Sequence, residues 1–322
     1  MTDLLILLTF PEEVRNQYRD RIKAAFPALR VNVVDHHDKV GPYIADAEIL
    51  VTFGPMMADH VLHDAKKLRW IQALGTGVDG IADRPSLKPG TIVTNVHGIH
   101  GAPVSEAALS AMLALSRGLP ELVRNQDKRQ WRRWPARLLY RKTVGILGIG
   151  AIAEDLAPRC QALGMRVVGI TGTPRHLQGF DRMVSRDAML GVMPELDYLV
   201  LLVPYAPDTK GLVGEAVFAA MKPDAYLVNL ARGGVVDEPA LIRALEGGRI
   251  AGAALYVFSE EPLPAEHPLW SAPNLLISPH QGGFCDVYVD HAMPVITENI
   301  RHFLAGDMGA MRNQVEIAQA KA

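Results

Sequence analysis

Three side chains in the second half of the chain, Arg232, Glu261 and His280, and one glycine-rich turn at its middle have the types and settings that could carry a reaction. Imidazole titrates near neutral pH, which makes His280 a candidate general acid. Arg232 offers a planar fork suited to a carboxylate or a polarised carbonyl oxygen. The turn Gly148-Ile149-Gly150-Ala151-Ile152-Ala153 follows the apolar run Thr143–Leu147 and leads into a helical stretch. Gly148 allows the tight turn, Gly150 lets the backbone approach a pyrophosphate, and Ala153 is small enough for close helix–strand packing. The helix N-terminus then presents free N–H groups and a positive dipole end to phosphate, so the turn predicts a dinucleotide site. Each feature also has an ordinary reading. A GxGxxA string occurs by chance, an Arg after a strand is commonly a surface ion-pair partner, and a Glu before Pro is commonly a loop carboxylate. A His after Pro is more often a satisfied loop histidine than a catalyst. The functional reading rests on their joint placement.

That placement comes from the elements around them. Before residue 100, short apolar runs at 4–8, 31–34, 48–51, 69–74 and 91–93 alternate with polar stretches of helical length, such as 12–26 and 57–67. The alternation predicts a small parallel α/β sheet. Val104–Leu119 is rich in Ala and Leu, opens with Ser105 and Glu106, and stops at Gly118-Leu119-Pro120, so it predicts a helix. After the glycine turn, strands are predicted at 166–170, 198–203, 225–230, 252–255 and 275–277. Helices are expected at 151–163 and 238–246. This repeated βα pattern belongs to a doubly wound sheet. Arg232, Glu261 and His280 follow the strands ending near 230, 255 and 277, and ligands of open α/β sheets bind at that edge. A last helix is expected over 288–303, and the tail after Asp307 is expected to be extended or frayed.

Composition narrows the class. The 322 residues are 49% hydrophobic and 21% charged, which supports folded cores and about two domains. With 33 basic and 35 acidic residues, a net charge of −2 and no long like-charge run, nucleic acid and anionic membrane are not expected partners. The two cysteines, Cys160 and Cys285, lack metal-ligand spacing. They predict inert thiols in a reduced compartment, with no metal. Leu4–Leu8 follows Asp3 rather than a basic stretch and lacks a small-residue cleavage site, so it reads as a buried strand, not a signal peptide. No apolar run reaches the ~18–20 residues of a membrane span. The expectation is a cytoplasmic protein.

Taken together and in order, Gly75-Thr76-Gly77-Val78-Asp79, the central glycine turn, Ala231-Arg232-Gly233-Gly234-Val235-Val236-Asp237, Glu260-Glu261-Pro262 and Pro279-His280 resemble the D-isomer-specific 2-hydroxyacid dehydrogenases. Within that family the chain looks most like the glyoxylate and hydroxypyruvate reductases. The resemblance implies two doubly wound α/β domains. A Rossmann dinucleotide-binding domain with its dimerisation helix (101–287) is inserted into a flavodoxin-like substrate domain (1–100 and 288–322). It also implies reduction of a small 2-oxo acid to the D-2-hydroxy acid by NAD(P)H. Arg232 would bind the substrate carboxylate, Glu261 would hold the second ring nitrogen of His280, and His280 would protonate the developing alkoxide. Backbone N–H groups of Gly77 and Val78 would hold the far side of the carboxylate. Gly148, Gly150, Ala151, Ile152, Pro204, Thr209, Ala231 and Gly282 would line the cofactor. His97 and His100, which flank Gly98 near the expected hinge, are assigned structural or solvated roles, and no role is assigned to His291 or His302.

Two positions depart from the family pattern. The acidic residue usual after the second strand of the nucleotide domain is replaced by Thr171, with Arg175 close behind. An Asp would bind the ribose hydroxyls and repel a 2′-phosphate. Thr171 removes that repulsion and Arg175 adds a positive partner, so NADP is expected over NAD. Tyr256 stands where the family commonly has Asp on the nicotinamide side, and would either hydrogen-bond the carboxamide or narrow the pocket. A corepressor-like protein that uses dinucleotide binding for assembly is the competing expectation. Formate dehydrogenases share the scaffold but lack the Glu–His pair. Trp131 and Trp134, close together in a basic polar stretch, would either cover their own domain's core or sit at an interface, and the family resemblance implies the latter, a homodimer through the region before the glycine turn.

Overall fold

The computed structural model describes residues 1–317. The chain divides into two compact units, Met1–Ile99 with the segment from Asp286 onward, and His100–Cys285.

In the first unit the strands are β1 (Asp3–Leu7), β2 (Arg30–Val34), β3 (Ile49–Thr52), β4 (Trp70–Ala73) and β5 (Ile92–Thr94). The helices α1 (Glu12–Ala25), α2 (Gly41–Ile44) and α3 (Asp59–Asp64) fall between them. All pairings are parallel, in the order β2-β1-β3-β4-β5, which is the flavodoxin-like winding. Strands β1 and β3 read as apolar runs, and β4 opens on two apolar residues, because both faces are covered: Leu4–Leu7, Ile49–Val51, Trp70 and Ile71 are all buried. One polar network lies inside this core. Trp70 Nε1 donates to Thr94 Oγ1 at 2.8 Å, Thr94 donates to Gln72 Oε1 at 2.9 Å, and Asn299 Nδ2 donates to the same oxygen at 3.1 Å.

The C-terminal segment narrows one expectation. After the long helix near its end, the described chain over 307–317 does not fray, although it stays largely without regular helix or strand. Asn299 Oδ1 accepts the Arg312 N–H at 2.7 Å, Asn95 N–H donates to Asn313 O at 3.1 Å, and Val315 N–H donates to Val93 O at 2.8 Å. Gln314 thereby pairs antiparallel with Thr94, satisfying the open edge of β5. Residues 318–322 of that tail lie outside the described residues.

The second unit holds β6 (Thr143–Leu147), β7 (Arg166–Thr171), β8 (Arg182–Ser185), β9 (Tyr198–Leu201), β10 (Tyr226–Asn229), β11 (Gly252–Leu255) and β12 (Leu275–Ile277). They form one parallel sheet in the order β12-β11-β10-β9-β6-β7-β8. This is the winding of a Rossmann sheet, and the strand order reverses between β6 and β9. The helices are α4 (Gly101–Arg117), α5 (Leu119–Asp127), α6 (Ala151–Ala162), α7 (Met189–Val192), α8 (Glu215–Ala220) and α9 (Glu238–Glu246), and α10 (Tyr288–Ala305) returns the chain to the first unit. Helix α4 starts at Gly101, earlier than its composition predicts, so Ser105 is buried in its second turn instead of at its cap. It ends as predicted at Gly118, whose positive φ of 67° closes the helix in the left-handed region. The edge strand β8 escapes prediction because it is short and polar.

Candidate active site

Gly148 ends β6 with φ +99°, and a Cβ there would lie 2.4 Å from the Val203 backbone nitrogen. Only glycine fits, because the exits of β6 and β9 meet backbone to backbone at the point where the strand order reverses. A Cβ on Gly150, by contrast, would meet nothing within 4 Å. The N-terminus of the 12-residue α6 starts immediately after it, and Ala153 is buried against the sheet. An open glycine before a helix N-terminus at the reversal point fits a pyrophosphate. Ala151 and Ile152 form the first turn of α6, where Ile152 O accepts from the Ser105 hydroxyl at 3.4 Å.

Arg232, Glu261 and His280 follow β10, β11 and β12, three neighbouring parallel strands, and so emerge at one sheet edge. His280 Nδ1 lies 2.6 Å from Glu261 Oε2. A carboxylate only accepts, so this nitrogen carries the proton and Nε2 is left to face a ligand. Glu261 Oε1 accepts the Phe258 backbone N–H at 2.9 Å. Burial pushes the Glu261 carboxyl up. The hydrogen bonds from His280 and Phe258, with the charges of His280 and Arg232, outweigh that and leave it below the ordinary glutamate value. His280 itself has φ +47°, a left-handed conformation that costs a non-glycine residue about 1–2 kcal/mol. Such outliers persist where surrounding structure imposes them and cluster at functional sites.

The Arg232 turn is shaped by a residue whose importance its type alone did not signal. Asn229, fully buried at the end of β10, accepts the Ala231 N–H at 3.0 Å and donates to Arg232 O at 3.1 Å. The available clue was a polar residue closing an otherwise apolar strand. Arg232 Nη1 donates to Ala231 O at 2.8 Å. Ala231 is buried, and Gly282 sits where a Cβ would press on Leu230 at 2.7 Å.

The remaining predicted residues have varied settings. Thr209 is buried and closes the loop after β9, donating to Pro204 O and accepting the Ala206 N–H, both at 2.8 Å. Thr171 ends β7, partly exposed, while Arg175 pairs with Glu154 of the first α6 turn at 3.3 Å. Tyr256 directs its hydroxyl to Ala107 O on α4 at 3.3 Å and packs its ring near Gly282. Burial raises its hydroxyl above the ordinary tyrosine value, so it stays neutral. Gly77 and Val78 lie in the first unit on the loop after β4, which is locked beside the loop after β3. There a Cβ on Gly54 would lie 2.0 Å from Asp79 O. His100 packs beside Gly283, and His97 O accepts from Asn313 Nδ2 at 2.9 Å. Cys160 is fully buried, which pushes its thiol up to about 12. Among the described residues, the grouping of His36, His37 and Asp38 is the one whose donor atoms lie close enough for a shared ion, on a turn far from these motifs in sequence. No helix among the described residues is long and apolar enough to cross a membrane.

The NAD-binding domain of the D-isomer-specific 2-hydroxyacid dehydrogenases matches residues 109–282. A D-3-phosphoglycerate dehydrogenase of Methanocaldococcus jannaschii is 33% identical over 283 residues, 86% of this chain and 54% of that protein. A glyoxylate/hydroxypyruvate reductase A of Serratia proteamaculans is 32% identical over 256 residues, 78% of this chain and 81% of its own length. Among solved structures, a D-isomer-specific 2-hydroxyacid dehydrogenase of Xanthobacter autotrophicus in complex with NADPH and MES superposes with a TM-score of 0.81 at 29% identity, covering 98% of each chain. The chain belongs to the D-isomer-specific 2-hydroxyacid dehydrogenase family. It spans about half the length of the phosphoglycerate dehydrogenase it matches.

Proposed function

We propose that this protein reduces a small 2-oxo acid of the glyoxylate or hydroxypyruvate type to its D-2-hydroxy acid, using NADPH in preference to NADH. The observation that carries the reading is the 2.6 Å His280–Glu261 contact beside the strand end that bears Arg232. Arg232 holds the substrate carboxylate through its guanidinium fork. Glu261 keeps the His280 ring oriented by accepting its Nδ1–H. His280 passes its Nε2 proton to the oxygen on C2 and becomes neutral imidazole as the alkoxide becomes a hydroxyl. The bound dinucleotide, held by Gly148, Gly150 and the first turn of α6, would supply the hydride that C2 receives. By the family resemblance, backbone N–H groups of Gly77 and Val78 would take the other side of the carboxylate.

The absence of an acid at Thr171 supports NADPH, as does the NADPH bound by the Xanthobacter relative; Arg175, which pairs with Glu154 at 3.3 Å, is the nearby cation that would turn to a 2′-phosphate. The test is oxidation of NADPH and NADH in parallel with glyoxylate, hydroxypyruvate and larger 2-oxo acids, and D-3-phosphoglycerate in the reverse direction. Turnover of a two- or three-carbon acid with NADPH is expected. Dinucleotide binding without turnover of any acid would overturn the reading in favour of an assembly role.

The same reading includes a homodimer built on α4, α5 and the segment that follows. Leu113, Leu119, Leu122 and Val123 are exposed there, and Trp131 is 94% exposed. Trp134 is instead spent on its own chain, with its indole over Gly118. Trp131→Ala is expected to raise the dimer dissociation constant by about tenfold or more, as for an interface anchor, and Trp134→Ala to act mainly on stability. A sedimentation profile showing monomer at micromolar concentration would end the dimer assignment.

A further inference from the structure

One buried carboxylate is bonded to the start of the loop that presents Glu261 and faces its far end. Glu238, the first residue of α9, is only 7% exposed. Carboxylates are rarely buried so deeply without a partner. Its Oε1 accepts the Ser259 backbone N–H at 2.7 Å, and its Oε2 lies 4.0 Å from His267 Nε2. His267 Nδ1 accepts the Leu269 N–H at 3.3 Å, so the ring proton resides on Nε2, the nitrogen facing Glu238. Glu261 lies in the chain between Ser259, which is bonded to Glu238, and His267, which only faces it. Its Oε1 is occupied by the neighbouring Phe258 N–H, which turns Oε2 toward His280.

The base of this pin is itself fixed. Asp237 caps α9 by accepting the Ala240 N–H at 3.0 Å, and its own N–H donates to Val213 O at 3.0 Å. The loop also lies directly on the Arg232 turn. A Cβ on Gly233 would sit 1.8 Å from the Phe258 carbonyl carbon and 2.2 Å from the Ser259 nitrogen. The backbone after Arg232 and the backbone before Glu261 are therefore in contact, and the Ser259 N–H at that contact is bonded to Glu238.

We propose that Glu238 is a positioning residue, pinning the 258–267 loop against the Arg232 turn so that the Glu261 carboxylate stays on His280. The consequence for turnover rests on the proposed reductase function; the consequence for the Glu261–His280 hydrogen bond does not. Loss of the acceptor in Glu238→Ala frees the Ser259 N–H and lets the loop shift. Misplacement by about an ångström costs up to roughly a hundredfold in rate, and loss of an outer partner about 10–100-fold.

The test uses the full chain. A low-field proton resonance from His280 Nδ1–H, assigned by its loss in Glu261→Gln, reports the hydrogen bond without any turnover. In Glu238→Ala this resonance is expected to vanish or move upfield, kcat to fall about 10–100-fold, and dinucleotide affinity to stay unchanged. Glu238→Gln retains an oxygen for Ser259 and is expected to recover most of both signals. If Glu238→Ala does not fold, Glu238→Asp withdraws the carboxylate by one methylene while keeping its charge, and the same two losses are expected in weaker form. A folded Glu238→Ala, or failing that Glu238→Asp, that keeps the wild-type resonance overturns the proposal. A wild type without turnover overturns the functional reading alone, since the resonance still decides the role of Glu238.

Discussion

The two ends of the nucleotide-binding sheet are built to different standards. At the β10–β12 end, Arg232 and Glu261 stand on turns held by buried groups, Asn229 under Arg232 and the Phe258 N–H on Glu261, and His280 takes a left-handed backbone. At the end of β7, Thr171 is partly exposed, and Arg175 is tied to Glu154 by a solvent-facing pair. Such pairs contribute about 0–1 kcal/mol and hold a side chain loosely. The difference shows where this architecture can be altered. Under the proposed function, the groups that would meet a reacting atom stand on turns held by buried partners, whereas the groups that would select between two nearly identical cofactors ride on exposed side chains that can be exchanged without disturbing the sheet.

The sharpest way to break this comparison is at His280. His280→Ala is expected to lower turnover by about 10²–10⁴-fold while the dinucleotide still binds, because it removes the proton donor and leaves the glycine turn intact. Steady-state rates and dinucleotide affinity measured on the same preparation check this. Unchanged turnover would remove His280 from the chemistry and make its backbone conformation a purely structural matter.

The β7 edge should respond in the opposite manner, in selectivity and not in rate. Thr171→Asp places a carboxylate where a 2′-phosphate would lie, so affinity for NADPH is expected to fall much more than for NADH. Arg175→Ala is expected to weaken NADPH alone, by about tenfold, near the lower end for a lost charge-assisted bond because the side chain is 59% exposed. Neither change should alter the melting temperature appreciably. A wild type that prefers NADH, or a ratio that moves in neither variant, would end the NADP assignment.

What the sequence revealed divides along the same line. Residue type and spacing announced Gly148, Gly150 and Ala153, because a turn, an open approach and a packed helix each demand small residues at set positions. The unbroken apolar strands were legible for a similar reason: a parallel sheet covered on both faces leaves no polar phase to confuse the reading. Residues that act by gripping backbone from a distance were not legible. Asn229 and Glu238 hold N–H groups whose positions depend on how β10, β11 and α9 come together, which no local pattern encodes. The destination of Tyr256 was equally hidden, since its hydroxyl reaches a carbonyl 149 residues earlier in the chain. The same limit applies to the tail that pairs with β5: an exposed sheet edge far away, not the composition of residues 311–315, orders it.

The smallest expected effect concerns stability at the well-built edge. Glu261 has a folded-state value below its ordinary one, after burial has been outweighed by His280, the Phe258 N–H and Arg232. A carboxyl lowered in this way binds a proton more weakly in the folded chain than in the unfolded chain. Its contribution to stability is therefore fully present above the ordinary glutamate value of about 4.3 and is lost as pH falls through the lowered value. Glu261→Gln has no proton to bind there, so the stability gap between wild type and variant should narrow as pH drops from about 6 through that acid range. Urea denaturation of both proteins across this range measures it. A gap that stays constant with pH would mean that the hydrogen bonds on Glu261 persist without its charge, and that the β10–β12 edge owes its rigidity to packing alone.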